Sequence, residues 1–409
     1  MTASTATPAR LHAGFWAIAL AFLTAMAFST VPTPLYPLYM ARDGFSTFTV
    51  TVVFAVYSLG VVVSLLLAGH VSDRIGRKRI LLPALGLELL AAVLFLTGTS
   101  LPVLLTARFV TGLGVGMITA TATAHLQELH AAHRPGASRQ RFEVVSTAVN
   151  SGGLGLGTLV TGLLAQYGAA PLRTPYVVFV ALLVLSVAAV ALTPETVPPQ
   201  AARYRYRPQR IGVPGDRTTY LAAAAAAVAS FAVFGVFTSL APGFVAGTLH
   251  HPSRALAGAV VFAVFGSAAI AQSLTGGLSG PAKTTLGLLA QAGGILTLVA
   301  GMHTASLVTF LIGGMAAGVG AGVLFKAALG SVAASAAPAE RGAALAGLFL
   351  LAYLGLGLPA VGLGIATQVL PAVTVMTWFA AVLLLLLAAV ALLSRGRSRP
   401  AGRLLRPAA

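Results

Sequence analysis

Residues 69–79 read Gly-His-Val-Ser-Asp-Arg-Ile-Gly-Arg-Lys-Arg, and the organisation of the chain follows from this stretch. It lies between two long apolar runs and carries four cations and one carboxylate. Its two glycines permit a tight turn, and its charges belong in water or among lipid headgroups. The stretch therefore predicts a charged turn that joins two membrane-spanning helices.

The composition of the whole chain is that of a membrane protein. Of its 409 residues, 57% are hydrophobic and 8% are charged, whereas soluble domains contain about 25% charged residues. The net charge of +17 comes from cations in short segments between apolar runs, which favours anionic lipid headgroups as partners over nucleic acid. The chain contains no cysteine, so disulfides and thiolate metal sites are excluded.

Twelve apolar segments are long enough to cross about 30 Å of hydrocarbon. The first follows Arg10 and has some features of a secretory signal, but its apolar run continues to Tyr39, which favours a membrane span. The sequence thus predicts an all-α polytopic membrane protein. The twelve predicted spans cover residues 14–40, 47–68, 80–98, 101–127, 142–167, 174–192, 218–247, 254–279, 284–302, 304–334, 340–367 and 371–393.

The cations indicate the orientation of these spans. If both termini are inside, the inner segments hold twenty Lys and Arg residues and the outer loops hold Arg42, Arg173 and Arg254. Cytoplasmic loops carry the excess of cations in membrane proteins. We therefore expect a multi-pass protein of the plasma (inner) membrane with both termini in the cytoplasm.

A stretch rich in Pro, Arg and Tyr divides the chain into halves of similar length. We predict an N-terminal six-helix bundle at 1–193, a cytoplasmic linker at 194–217, a C-terminal six-helix bundle at 218–394 and a basic cytoplasmic tail at 395–409.

Two short repeats relate the halves to each other. Val-Phe-Ala-Val-Tyr at 53–57 recurs as Val-Phe-Ala-Val-Phe at 261–265, and Leu-Gly-Leu-Gly at 154–157 recurs at 354–357. These matches pair the second span with the eighth and the fifth with the eleventh. Repeated halves indicate rocking around a central site that opens alternately to each side of the membrane.

Gly69, Asp73, Arg74, Gly76 and Arg77 resemble the loop signature of the major facilitator superfamily, which lies between the second and third spans. The resemblance extends to the twelve spans, the central linker and the cytoplasmic termini. It implies two pseudo-symmetric six-helix halves and transport of small molecules, as in the bacterial drug and metabolite efflux branch.

Two further motifs agree with the resemblance and two depart from it. Arg108 with Gly112 is similar to the family's fourth-helix motif, and Pro-Glu-Thr at 194–196 is similar to a motif at the end of the sixth span. The Gly-Pro-x-x-Gly-Gly element of the drug antiporters reads Gly-Thr-Leu-Val-Thr-Gly at 157–162, so this marker of antiport is lost. In the second half, Pro281 occupies the position that matches Asp73.

The gating loop, by which we mean Gly69, Asp73, Arg74, Gly76 and Arg77, has two interpretations. The family resemblance implies that Asp73 latches the two halves at their cytoplasmic ends, because a carboxylate can accept hydrogen bonds from a helix N-terminus. Alternatively, the loop only anchors the topology, with its arginines on lipid phosphates. We expect Asp73 to have a gating role.

Three ionisable residues lie deep within spans, where an unpaired charge is costly and usually marks function. Glu88 is the candidate for proton coupling, and it could instead form a purely structural ion pair with Arg108. Arg108 and Lys326 are candidates for a substrate cavity that favours anionic or neutral molecules, although Lys326 could extend to the cytoplasm. Asn150 and Gln272 could contact substrate or bond between helices.

The leading prediction is a secondary active transporter of small organic molecules, with proton-coupled efflux by alternating access. A proton-coupled importer of a small anionic or neutral metabolite is the alternative, and a non-transporting receptor or scaffold is the remote one. No catalytic residues, metal site or phosphate-binding loop are evident, so we expect no enzyme activity and no cofactor beyond a proton gradient. The expected partners are the substrate and membrane lipids, without nucleic acid, and the chain is expected to be a monomer.

Overall fold

The computed structural model of the chain describes residues 7–68, 71–138, 140–197, 206–214, 216–338 and 340–395. These ranges are almost entirely helical and contain no strand, which confirms the predicted all-α polytopic fold. Twelve segments of them are long and apolar enough to cross a membrane. These segments, called spans 1 to 12, are Pro8–Asp43, Thr47–Ala68, Lys78–Thr97, Leu101–His133, Gln140–Tyr167, Thr174–Leu192, Arg217–Ser239, Arg254–Leu274, Gly280–His303, Leu307–Ser335, Arg341–Ala366 and Ala372–Arg395.

The spans alternate in direction, so the bundle has two ends. We call the end that holds residues 71–77 the inner end, which is the predicted cytoplasmic side, and the opposite end the outer end. A one-turn helix, Ser72–Ile75, connects spans 2 and 3 at the inner end. Parts of the predicted linker and tail, residues 198–205, 215 and 396–409, lie outside the described residues.

Spans 1 and 5 are not regular helices along their whole length. Span 1 consists of the helix Pro8–Ser29, a 3₁₀ turn at Thr33–Leu35 and the helix Tyr36–Asp43, and prolines explain the break because they lack the N–H that a helix interior needs. Span 5 consists of the helices Gln140–Thr147 and Gly153–Tyr167, which are joined by a wider π-helical turn at Ala148–Gly152.

Span 7 is also interrupted near its outer end, where the helix Arg217–Ser239 gives way to the short helix Ala241–Ala246. Pro242 lies in the first turn of that short helix. Spans 1 and 7 begin the two predicted halves, so both halves start with a span that breaks toward the outer end.

The two halves meet mainly through spans 2 and 11 and through spans 5 and 8. These are the four spans that carry the two sequence repeats. Small residues allow the close approach, since helices in lipid associate through tight van der Waals packing. At the outer end, a Cβ on Gly258 of span 8 would lie 3.2 Å from the Cα of Gly162 in span 5.

Candidate functional site

A central cavity of about 130 Å³ lies between the two halves. Three residues that the sequence singled out, Arg108, Asn150 and Gln272, contribute to its wall. The full lining consists of Met26, Ser29, Thr30, Thr33, Phe54, Tyr57, Arg108, Thr119, Asn150, Ser151, Leu154, Phe231, Phe234, Thr238, Phe265, Gln272, Phe325, Phe349, Tyr353 and Leu356.

The wall of this cavity is aromatic and carries a single charge. Eight of the lining residues are Phe or Tyr, and Arg108 is the only one of the described lining residues with a charged side chain. In the described ranges, no group of three or more His, Asp or Glu side chains is arranged to hold a metal ion. The cavity is therefore suited to an organic molecule with an apolar ring and an acceptor group.

Span 4 positions Arg108 at the edge of the cavity. Gly112, one turn further along, packs against the backbone of span 2 at Tyr57 and Gly60, so the two helices approach closely enough for Arg108 to reach the Tyr57 ring. The side chain of Arg108 is 2% exposed, and its guanidinium carbon lies 4.4 Å from the centroid of that ring. This is the geometry of a cation–π contact.

Arg108 is only partly satisfied by hydrogen bonds. Its Nη1 donates to the backbone oxygen of Ser29 at 2.7 Å, whereas its buried Nε has no partner among the described residues. The Ser29 carbonyl is available because span 1 breaks just after this residue, which frees the last carbonyls of the helix. A buried guanidinium with unused donors is a ready site for a carboxylate or carbonyl oxygen.

The π-helical turn of span 5 brings Asn150 and Ser151 to the same cavity. π-helical turns leave some backbone groups without regular helical partners and are common at functional sites. On the opposite side, Gln272 of span 8 lines the cavity, and its backbone oxygen accepts a hydrogen bond from Lys326.

Glu88 lies close to this site but does not line the cavity. It is 0% exposed, and neither of its carboxyl oxygens has a hydrogen-bond partner among the described residues. It packs against Gly114 of span 4, where any larger side chain would displace it. No ion pair within 4.0 Å joins Glu88 to Arg108 in the described structure. The described structure therefore lacks the Glu88–Arg108 ion pair that was the structural alternative, because the guanidinium contacts Ser29 and Tyr57 instead.

Lys326 lies in a different cavity, of about 350 Å³, near the inner end. Its Nζ donates to the Gln272 backbone oxygen at 2.8 Å. Gln140 and Glu143 of span 5 line the same inner cavity from the other half. The long side chain therefore extends toward the inner end, as in the alternative considered from the sequence, and does not contribute to the central cavity.

The gating loop is held within the N-terminal half. Arg77 pairs with Asp73 four residues away and with Glu128 of span 4, at 2.6 Å for the second pair. Burial opposes the positive charge, but the pairs with Glu128 and Asp73 raise the pKa of the Arg77 guanidinium. Asp73 is 62% exposed and has no partner from the C-terminal half among the described residues. The structure therefore shows a conformation without the expected latch through Asp73.

The remaining residues of the gating loop differ in role. Gly76 adopts a φ of +112°, a left-handed conformation that favours glycine, and a Cβ there would also lie 2.8 Å from Glu195 Oε2. Arg74 is exposed at the end of the one-turn helix. Gly69 lies outside the described residues.

Glu195 organises the inner end of span 3, a role that the sequence did not reveal. Its carboxylate accepts hydrogen bonds from the backbone N–H groups of Arg77 and Lys78 at 2.9 and 3.0 Å. Partial burial raises its pKa, but bonds from these groups and from the N–H groups of Val197 and Thr196 outweigh this and lower the pKa overall. The signal in the sequence is the Pro-Glu-Thr motif at 194–196, which marks the position of this carboxylate but not its partners.

The outer end carries direct hydrogen bonds between the halves. Thr158 Oγ1 of span 5 donates to the Gly258 backbone oxygen of span 8 at 3.1 Å. Arg254, at the start of span 8, donates from its backbone N–H to Gln166 Oε1 and from Nη1 to the Ala165 oxygen, each at 3.0 Å. Thr158 occupies the proline position of the lost antiporter motif, and its hydroxyl now joins the two halves.

Comparison with known proteins agrees with this architecture. The sequence profile of the Major Facilitator Superfamily matches residues 18–290. The human organic anion transporter MFSD10 (TETRAN) superposes with a TM-score of 0.66 at 16% identity, covering 93% of this chain and 99% of the other. A POT family transporter superposes with a TM-score of 0.72 at 10% identity, covering 95% and 96%. At these identities the likeness concerns the fold alone.

Sequence relatives are membrane transporters rather than enzymes. Rv1250 of Mycobacterium tuberculosis, an uncharacterized MFS-type transporter, is 32% identical over 149 residues, which is 36% of this chain and 26% of that protein. The multidrug resistance protein MdtL of Escherichia coli is 35% identical over 77 residues, 19% of this chain and 20% of MdtL. The matches thus cover about a quarter of the relatives' length or less. Because the family profile matches most of the chain, residues 18–290, this chain belongs to the Major Facilitator Superfamily.

Proposed function

We propose that this chain is a secondary active transporter that exports small organic molecules by alternating access and proton coupling. The observation that carries the proposal is the central cavity, which is lined by both halves and contains one buried cation in an aromatic wall. A site of this kind at the interface of two repeated halves is where such transporters bind their substrates.

Separate cavities on either side of this site support a path through the bundle. The outer cavity, of about 390 Å³, is lined by residues such as Tyr36, Val50 and Phe244, and the inner cavity has about 350 Å³. The halves are joined at the outer end by the bonds of Thr158 and Arg254. We infer that breaking these bonds opens the outer side while the inner cavity closes.

Glu88 is the proposed proton carrier. An ionised carboxylate buried without a partner costs several kcal/mol, so the present arrangement favours the neutral acid. When the halves move, a partner or water that reaches Glu88 would stabilise its ionised form. A buried acid that alternates between these environments is the requirement for coupling substrate movement to a proton gradient.

Export is supported by the likeness of part of the chain to a multidrug resistance protein. The second candidate function is import of a small anionic or neutral metabolite by proton symport, and it is favoured by Arg108 as the one cation among the described lining residues of the central cavity. In either case we propose a monomer in the plasma membrane with cytoplasmic termini, in contact with lipids and without nucleic acid or cofactor.

Transport in proteoliposomes tests these proposals. A screen of small organic molecules, read with a pH-sensitive dye inside the vesicles, reports both flux and accompanying proton movement. Antiport is supported if substrate entry makes the lumen more alkaline, and symport if it acidifies the lumen. Glu88→Gln should abolish the pH change, whereas Glu340→Gln, which removes an exposed carboxylate at the start of span 11, should not. Absence of flux for every compound would leave the receptor or scaffold function.

A further inference from the structure

We infer that the central cavity binds a single-ring aromatic anion together with one proton, with the anionic group on Arg108, the ring among the cavity's aromatic side chains and the proton on Glu88. The inference rests on the proposed use of this cavity for transport. Because the anion and the proton bind together, the inference deepens the second candidate function, proton symport, and its confirmation would replace proton-coupled export.

The charge of the cavity selects an anion. Arg108 is the only charged residue in the described lining, and no carboxylate of the lining neutralises it. A cationic ligand would meet an unscreened positive charge in surroundings of low dielectric constant. A carboxylate would instead receive charge-assisted hydrogen bonds from the guanidinium, whose buried Nε has no partner in the described part of the chain.

The wall of the cavity selects an aromatic ring. Phe234 and Phe265 stack with centroids 4.8 Å apart, and Phe231 meets Phe325 and Tyr353 edge to face at 4.9 and 5.4 Å. These five residues come from spans 7, 8, 10 and 11, opposite Arg108 of span 4. The site therefore offers a cation on one half and aromatic faces on the other, the arrangement that fits a benzene ring with one carboxylate.

The size of the cavity limits the ligand to about one ring. Its volume is about 130 Å³, and an apolar cavity of about 150 Å³ is known to hold benzene. A two-ring molecule would require the halves to separate further.

Glu88 and a bound anion would compete for the same cation. Of the described residues, the titratable groups that interact electrostatically with Glu88 are Arg108 of span 4 and Tyr57 of span 2. Span 6 also packs against span 3, and its titratable residue Tyr176 bonds to Tyr39 of span 1. Among the described residues, Arg108 is thus the one cation near Glu88 that can stabilise an ionised carboxylate.

This competition links anion binding to proton binding. When the halves move and Glu88 ionises, it and Arg108 together have no net charge. With an anion on Arg108, the site is neutral again only if Glu88 carries a proton. Two negative charges on one buried cation would leave one of them without compensation, which is costly. Anion and proton therefore favour each other's binding, and by linkage the effect is reciprocal.

Binding of benzoate to the purified full-length protein in lipid nanodiscs tests the inference, with benzamide and benzylamine as neutral and cationic matches. Between about pH 8 and about pH 6, we expect benzoate affinity to rise by up to about tenfold for each unit of falling pH. At every pH, Glu88→Gln should bind benzoate as tightly as the wild type does at low pH. Arg108→Gln should weaken benzoate about tenfold to hundredfold while binding of benzamide is kept, which also shows that the variant is folded. Arg42→Gln, at an exposed arginine of the outer end, is the matched control and should resemble the wild type.

Several results would overturn the inference. These are failure of benzoate to bind, equal affinity for benzoate and benzylamine, an unchanged ratio of benzoate to benzamide in Arg108→Gln, or a pH dependence that persists in Glu88→Gln. If one of the first three results occurs while proteoliposomes still transport other compounds, transport stands and only the substrate class is wrong. A pH dependence that persists in Glu88→Gln would in addition remove Glu88 as the proton carrier. Absence of transport for all compounds would refute the proposed function itself.

Discussion

Gly258→Ala is expected to shift the chain from the present conformation toward one that is open at the outer end. Gly258 lies where span 8 crosses span 5 between the two halves. A methyl group there would overlap the Thr158 carbonyl oxygen and would lie 3.0 Å from the Thr158 carbonyl carbon and 3.2 Å from Gly162 Cα. All three atoms belong to the backbone, so no side chain can rotate away, and the two helices must separate.

The size of the effect follows from the overlap. Inserting one methyl group into a tightly packed contact costs about 1–3 kcal/mol. If the contact exists only while the outer end is closed, that cost raises the population of the outer-open form relative to the closed form by about 5- to 150-fold. Gly266→Ala is the matched control, because it lies two turns further along the same span and a Cβ there meets no atom within 4 Å.

Labelling of a single cysteine measures this shift. The chain contains no cysteine, so Thr51→Cys introduces one thiol, at a buried position of span 2 that packs against Gly364 of span 11 at the outer end. We expect Gly258→Ala to increase the rate at which an impermeant maleimide labels Cys at position 51 from the outer side by at least about fivefold. Equal rates in Gly258→Ala, Gly266→Ala and the parent would show that this crossing does not close the outer end.

Three further predictions concern the inner end and the orientation. The lowered pKa of Glu195 means that its stabilising bonds are present above its ordinary pKa of 4.5 and are lost as the pH falls through its lower folded value. At neutral pH, Glu195→Gln should therefore lower the free energy of local opening at residues 77–81 by about 1 kcal/mol, allowing for the exposure of the carboxylate. Hydrogen exchange measures this difference, which should vanish in acid. We also expect the charges of Glu143 and Lys326 to approach each other when the inner cavity closes. Reversing one charge, by Glu143→Lys or Lys326→Glu, should slow transport about fivefold, and combining both substitutions should restore the rate. A double variant as slow as the single ones would contradict this contact. Ser46→Cys should be labelled from outside intact cells and Arg210→Cys only after permeabilisation, and the opposite pattern would invert the predicted orientation.

Much of the candidate site was predictable from the sequence because burying a charge in a membrane is costly. Arg108 stood out as a cation deep within a predicted span, and the structure places it in the wall of the central cavity. Glu88 stood out for the same reason. Its lack of a partner was not predictable, because the distance between two ionisable groups on neighbouring helices depends on how each helix is rotated.

The contacts that the sequence did not reveal are long-range ones to the backbone. Glu195 bonds to N–H groups more than a hundred residues earlier in the chain, and Thr158 bonds to a carbonyl oxygen of the other half. Every residue carries such backbone groups, so no residue type marks which of them a side chain will reach.

The class of the protein can be read from the sequence alone: twelve spans, two related halves and a charged turn at residues 69–79. These features follow from local hydropathy and charge, which act on each segment independently of the others. The packing of the spans was needed to show that Arg108 faces Tyr57 and Ser29 and that Lys326 belongs to the inner cavity. It also showed that Thr158 and Arg254 join the halves at the outer end. The rotation and close approach of the helices determine those contacts, and packing between distant segments sets both.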